Sequence, residues 1–242
     1  MGPQTCDTHH PRRAPDAHRT YGKFAADRPV VVDRAAGVAG GEVVLRRVGA
    51  DFEIISNGVF LMDTRSGRSE RMLVRAALDR HHDPANLLIG GLGAGFSLAE
   101  AAAGVPAGGT VSVVELEPAV IGWHRTHLRP YSAGALDDPR VTVICADLLD
   151  WLPGGAARFD AICLDIDNGP DWTVTDRNAL LYGDDGLDLL AGRLTACGVL
   201  AVWSAAAAPA FAARLRARFG DIEVRTVAAP RGEPDVIYLA CR

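Results

Sequence analysis

A doubly wound α/β fold is the class that the sequence predicts. The expected form is a mostly parallel, seven-stranded, Rossmann-like sheet ending in an antiparallel hairpin, with a small N-terminal β-unit ahead of it. Three observations carry that expectation. From Asn86 onward, short apolar runs alternate with helical segments, the rhythm of a parallel sheet covered on both faces. The first run, 87–89, meets the cluster Gly90-Gly91-Leu92-Gly93-Ala94-Gly95 and then an Ala-rich helical segment, 98–103. The last two runs, 222–227 and 235–240, are separated only by a short stretch containing Pro230-Arg231-Gly232, so they pair as a hairpin.

Taken in order, residues 1–28 carry Pro3, Pro11 and Pro15, three His and several Arg without periodicity, and read as a disordered leader. His9-His10 belongs to that solvated tail rather than to a metal site. The span 29–83 reads as a β-hairpin unit followed by a helix. Within it, 30–32, 42–48 and 52–55 are β-rich, Asn57-Gly58 is a hairpin turn signal, and 59–62 supplies the second arm. Over 66–80, Met72, Leu73, Ala76, Ala77 and Leu78 recur at helical spacing. Residues 84–242 form the sheet domain. Its strands are expected at 87–89, 110–114, 140–145, 159–164 and 199–203, and its helices at 118–128, 147–152, 183–193 and 209–219.

The composition narrows the function. The chain has 242 residues, 48% hydrophobic and 23% charged, an ordinary balance for a globular protein with a sizeable core. A net charge of −5 provides no field that invites nucleic acid. No apolar run approaches the ~20 residues of a membrane helix, and the first residues lack an apolar signal core. Cys6, Cys145, Cys163, Cys197 and Cys241 show no metal-type spacing and read as reduced thiols of a cytoplasmic protein. A small-molecule substrate is expected, with no nucleic acid, membrane or metal.

The chemistry should sit beyond the strand ends. Gly91, Gly93 and Gly95 stand in a G-x-G-x-G spacing, where the turn requires backbone angles that a side chain forbids. With Gly90 they let a nucleotide approach the backbone near a helix N-terminus. Glu115 lies about 20 residues beyond the last glycine, which suits a carboxylate accepting both ribose hydroxyls. The lesser alternative for Glu115 is a helix N-terminal acid before Pro118. Asp147 follows the third strand and can accept from an adenine amino group, cap the next helix, or do both. Asp165 and Asp167 are two apart, so in extended chain they share a side. They can act as a general base or hold an ammonium as a static anionic pocket, while Asn168-Gly169-Pro170 offers turn chemistry. Trp172, Tyr182 and Trp203 are aromatics for an acceptor pocket or for the core.

These residues resemble the spermidine synthase-like branch of the class I S-adenosylmethionine-dependent transferases. The likeness runs from about Glu42 to the C-terminus. It rests on Asn57-Gly58, Ser69-Glu70-Arg71-Met72-Leu73, Ile89-Gly90-Gly91, Val114-Glu115, Pro139-Arg140-Val141 and Asp147. It continues through Phe159-Asp160, Asp165, Asn168-Gly169-Pro170, Asn178, Leu180-Leu181-Tyr182 and the stretch from Val199 to Ser204. The resemblance implies Asp165 as catalytic base, Glu115 at the ribose, Asp147 at the adenine, and a possible homodimer through the N-terminal unit. There are departures. The acid that aminopropyltransferases carry within the glycine turn corresponds to Gly93, a Tyr-His pair corresponds to Ser69 and Glu70, and the second acid of the strand-4 signature falls on Asn168.

An acid at position 93 would repel the carboxylate of intact S-adenosylmethionine, whereas Gly93 offers a backbone N–H. The sequence-based expectation is therefore a transferase acting on a small amine- or hydroxyl-bearing molecule, with intact S-adenosylmethionine and methyl transfer favoured. The alternatives are aminopropyl transfer from decarboxylated S-adenosylmethionine, aminocarboxypropyl transfer or cyclisation of the cofactor, a catalytically silent binding module, and a nicotinamide dehydrogenase.

Overall fold

The computed structural model describes residues 28–81, 83–229 and 232–242. The leader with His9-His10 and Cys6, and Pro230-Arg231 of the final turn, lie outside the described residues. The chain opens with a four-stranded antiparallel meander, β1 (Val30–Ala36), β2 (Glu42–Val48), β3 (Asp51–Ser56) and β4 (Val59–Asp63). Asn57 and Gly58 both adopt positive φ, 50° and 79°, the two-residue turn whose twist matches the strands it joins. Helix α1 (Arg68–Arg80) follows, buries Leu73, Val74, Ala76 and Ala77, and packs on the larger sheet.

That sheet has the order β10-β11-β9-β8-β5-β6-β7. Its strands are β5 (Asn86–Gly90), β6 (Thr110–Glu115), β7 (Val141–Cys145), β8 (Phe159–Leu164), β9 (Leu194–Ser204), β10 (Ile222–Val227) and β11 (Asp235–Cys241). The five strands β7, β6, β5, β8 and β9 run parallel, and β11 lies antiparallel between β9 and β10, so the final hairpin is present as expected. The helices are α2 (Phe96–Gly104), α3 (Pro118–Trp123), α4 (Leu148–Gly154), α5 (Asp184–Arg193) and α6 (Pro209–Phe219). Chain order reverses at β5, whose neighbours are β6 and β8, and a crevice opens at their C-terminal ends. One apolar cluster joins Val43, Leu45 and Ile54 of the meander to α1 and to Leu87, Ile89, Val111 and Val113, so the small sheet is seated beside that crevice.

Three elements differ from expectation. The helix foreseen over 118–128 stops at Trp123, and turns continue to Gly134, where Ala133 and Gly134 both have positive φ. Strand β9 starts at Leu194 rather than 199, because a bulge around Cys197 (φ 67°) lets Leu194 pair with Phe159 before the regular ladder begins. Residues Asp176–Tyr182, for which no element was foreseen, form a 3-10 helix capped by the Thr175 side chain. Among the described residues no helix is long and apolar enough to cross a membrane, and no His/Cys/Asp/Glu group is arranged to hold a metal.

Candidate active site

The glycine turn links β5 to α2. Gly91, Gly93 and Gly95 have φ of 89°, 47° and 91°, and each is walled in. A Cβ on Gly91 would lie 2.3 Å from the carbonyl oxygen of Asp165, and one on Gly95 would lie 2.5 Å from the His124 ring. Even on Gly90, with ordinary φ, a Cβ would come within 2.8 Å of Leu148. The turn is thus built for close backbone approach from β5, β8 and α4 at once.

Glu115, the last residue of β6, is buried, and its two oxygens accept from the N–H groups of Leu92 and Glu117, both at 2.8 Å. Burial raises its pKa, and those donors, with the Gly93 N–H, oppose the rise. It therefore ties the glycine turn to the β6–α3 turn, while it also borders the cavity. Asp147 caps α4 through Leu149 N at 2.8 Å, and its other oxygen accepts from Arg177 Nη1 at 2.6 Å. The two-role expectation for Asp147 left that second oxygen to an adenine. Instead, Arg177 already reaches it from the 176–182 helix.

Asp165 follows β8 directly. Ser97 Oγ donates to it at 2.7 Å, and burial, then the nearby carboxylates of Glu70 and Asp235, push its pKa up to about 7. Asp167 is different. It accepts from Val174 N (2.6 Å), Asn178 Nδ2 (2.8 Å) and the Tyr182 hydroxyl (2.8 Å). Burial raises its pKa against those three donors. Asp167 thereby anchors the loop that leads into the 176–182 helix, while it also borders the cavity. Tyr182 is buried and reaches the site through Asp167. Asn168 borders the cavity, whereas Trp172 is 60% exposed and sits in a separate shallow pocket, outside the expected acceptor wall. Its turn, closed by Trp172 N to Gly169 O at 3.1 Å, carries the ring outward.

These strand ends surround a cavity of about 160 Å³, with Trp203 in its wall. Its far wall comes from the meander: Val43, Ile54, Asn57, Leu61 and Met62 all face it. Sequence reasoning missed several of its residues. Met62 Sδ lies 2.3 Å from where a Cβ on Gly93 would stand and accepts from Ala94 N at 3.1 Å. Glu70, on the first turn of α1, lines the cavity beside Asp165, and Glu117 lines it from the β6–α3 turn. The only signal for Glu70 was its place within the Ser69-Glu70-Arg71-Met72-Leu73 motif. Nothing local pointed to Met62. In all, six carboxylates line the cavity, Glu70, Glu115, Glu117, Asp147, Asp165 and Asp167, and no Lys, Arg or His does so among the described residues.

No protein-family model matches the chain. The polyamine aminopropyltransferase of Mycobacterium tuberculosis is 35% identical over 165 residues, 66% of this chain and 30% of that protein. Polyamine aminopropyltransferase 1 of Streptomyces coelicolor is 37% identical over 141 residues, 57% of this chain and 25% of the relative. The chain therefore spans about a third or less of the length of these relatives. Among solved structures, spermidine synthase from Thermotoga maritima superposes with a TM-score of 0.70 at 17% identity, covering 87% of this chain and 72% of that one. A spermidine synthase in complex with the transition state analogue AdoDATO gives 0.71 at 18% identity, with 87% and 73% covered. At such identities the structures establish the fold.

Proposed function

For a chain that is spermidine synthase-like in fold and in sequence kinship, we propose aminopropyl transfer from decarboxylated S-adenosylmethionine to a small amine. The charge of the cavity carries this reading: six carboxylates and, among the described residues, no basic side chain. Such a wall suits a sulfonium with an ammonium tail and a cationic acceptor, and opposes a ligand with a carboxylate of its own. The kinship points the same way, since the relatives quoted above are polyamine aminopropyltransferases.

The expectation of intact S-adenosylmethionine and methyl transfer gives way here for a physical reason. It relied on Gly93 to offer space and a free N–H to the cofactor carboxylate. Met62 Sδ fills that space, and the Gly93 N–H is turned toward Glu115. The Gly93 carbonyl is held in turn by His124 Nε2 at 2.8 Å.

In the proposed reaction the acceptor nitrogen attacks the methylene carbon bonded to sulfur. The C–S bond breaks with its electron pair on sulfur, which becomes a neutral thioether, and the nitrogen's proton passes to Asp165. A carboxylate near pH 7 in pKa is suited to that transfer at neutral pH. The fold's share is to hold the nucleoside against Gly90 to Gly95, with Glu115 and Asp147 at the rim, and to keep Asp165 dry beside the reacting centre. Incubation of the full chain with decarboxylated S-adenosylmethionine and 1,4-diaminobutane should release methylthioadenosine. Production of S-adenosylhomocysteine from the intact cofactor, with no methylthioadenosine, would overturn the proposal.

A further inference from the structure

The peptide plane between Gly93 and Ala94 is held from both sides. On one side His124 Nε2 donates to the Gly93 carbonyl at 2.8 Å. On the other the Ala94 N–H donates to Met62 Sδ at 3.1 Å. In a trans peptide the C=O and the N–H point in opposite directions, so His124 fixes where the Ala94 N–H points. That direction is the cavity, because Met62 lines it, whereas His124 is buried and takes no part in the lining. The hold has a cost. With the hydrogen on Nε2, Nδ1 is a bare acceptor, and it is buried with no hydrogen-bond partner among the described residues. A buried polar atom left in that state is unfavourable and calls for a reason.

The N–H groups of the turn differ in their acceptors. Gly91 N donates to Val114 O at 2.9 Å, Leu92 N to Glu115 at 2.8 Å, and Gly95 N to Leu92 O at 2.8 Å. The Gly93 N–H also belongs to Glu115. Those four end on oxygens that the fold holds in place. The fifth, from Ala94, ends on a thioether, a weak acceptor on a flexible side chain. It is the one donor from Gly91 to Gly95 that a ligand can win by displacing a side chain. A carboxylate is the group that gains most from a backbone N–H in such a turn. The six cavity carboxylates oppose an anion throughout the space, and Met62 stands at the place where the backbone would offset that opposition.

Resting on the aminopropyl reading, we infer that Met62 is the residue by which the chain rejects intact S-adenosylmethionine in favour of the decarboxylated form, with His124 as the positioning residue behind it. Met62 bars the cofactor carboxylate twice. It fills the space at Gly93, and it occupies the Ala94 N–H. The decarboxylated cofactor lacks the group that is barred. His124 keeps the N–H aimed at the thioether. Without that hold the plane is free to turn over, and the N–H is then lost to an anion whether or not Met62 is present.

The test is calorimetric titration of the full chain with each form of the cofactor, read as the ratio of the two affinities, in which losses common to both cancel. Wild type should prefer the decarboxylated form by about tenfold or more, and Met62→Ala should lower that preference by about tenfold, the size of effect expected of one charge-assisted hydrogen bond. Met62→Leu, which keeps the bulk without the sulfur, should retain most of the preference. Met62→Val, suited to its place in β4, repeats the test should the alanine variant not fold. In the Met62→Ala background, His124→Leu removes the donor and should return the preference toward that of wild type, whereas His124→Gln keeps an N–H and should not. A wild-type chain that binds both forms alike, or neither, overturns the inference, as does a Met62→Ala chain whose preference stands. A double variant with His124→Leu that stays as permissive as Met62→Ala alone overturns the part given to His124. Discrimination that follows these lines without release of methylthioadenosine overturns only the proposed reaction.

Discussion

On the β5–β6 side of the cavity, the fold supplies each carboxylate with its donors. Glu115 has the Leu92 and Glu117 amides, and Asp147 has the α4 terminus and Arg177. On the β8 side, Asp165 receives one hydroxyl, from Ser97, and faces Glu70 and Asp235. The first side is satisfied by the protein itself, as the proposed nucleoside seat requires. The second carries uncompensated negative charge, which a cationic substrate would neutralise. Charge balance, more than residue type, distinguishes the acids tied into the fold from Asp165. Asp167 makes the same point, since it lies two residues from Asp165 and yet serves the loop through three donors.

The largest expected effect comes from Asp165→Asn. Turnover should fall by about 10²–10⁴-fold, the usual contribution of a general base, with the adenosyl ligand still bound. Stability should move the other way. The folded pKa of Asp165, about 7, lies above its unfolded value, so between those two values the native state binds more protons than the unfolded state. Stability is therefore lost as pH rises from about 4 to about 7, and the loss persists above. Urea unfolding should show the Asn variant more stable than wild type at pH 8 and equal to it below pH 4. A variant less stable than wild type at pH 8 would place Asp165 among the structural acids.

Gly91→Ala attacks the finished side. Its Cβ meets the Asp165 carbonyl at 2.3 Å, and its φ of 89° is strained for any other residue. Backbone rather than a flexible side chain stands in the way, so the ends of β5 and β8 must separate. A loss of about 3 kcal/mol in urea unfolding is expected. Gly108→Ala, where nothing lies within 4 Å, is the control and should change little.

These two positions also mark what was readable in the sequence. The glycine turn, the Asn57-Gly58 turn and the alternation of strands and helices depend on local backbone chemistry, so they could be placed from residue order alone. Asp165 and Glu115 followed as strand-end acids of that pattern. Glu70, Met62 and Glu117 enter the cavity because the meander, α1 and the β6–α3 turn are packed against the sheet, and no local periodicity records that packing. The equal treatment of Asp165 and Asp167 assumed an extended chain, but β8 ends at Leu164 and the following bend hands Asp167 to Val174, Asn178 and Tyr182. Trp172 was misplaced by the same bend. The helix beyond Trp123 was overextended because its apolar residues continue while its backbone turns, which leaves His124 to hold the Gly93 carbonyl.

Arg177→Ala should give the smallest effect and the finest distinction. Arg177 bridges Asp147 and Asp150 from an exposed position, and Asp150 is held below the usual carboxylate range by that guanidinium. Exposed pairs of this kind are screened by solvent and contribute little, so the melting temperature should hardly move. Loss of Arg177 frees the second oxygen of Asp147 at the cavity rim. If that oxygen receives the adenine amino group, decarboxylated S-adenosylmethionine should bind about two- to threefold more tightly to the variant, and raised salt should narrow the gap by screening the pair in wild type. Unchanged affinity at both low and high salt would confine Asp147 to its helix cap, and would leave the nucleoside seat to Glu115 and the glycine turn.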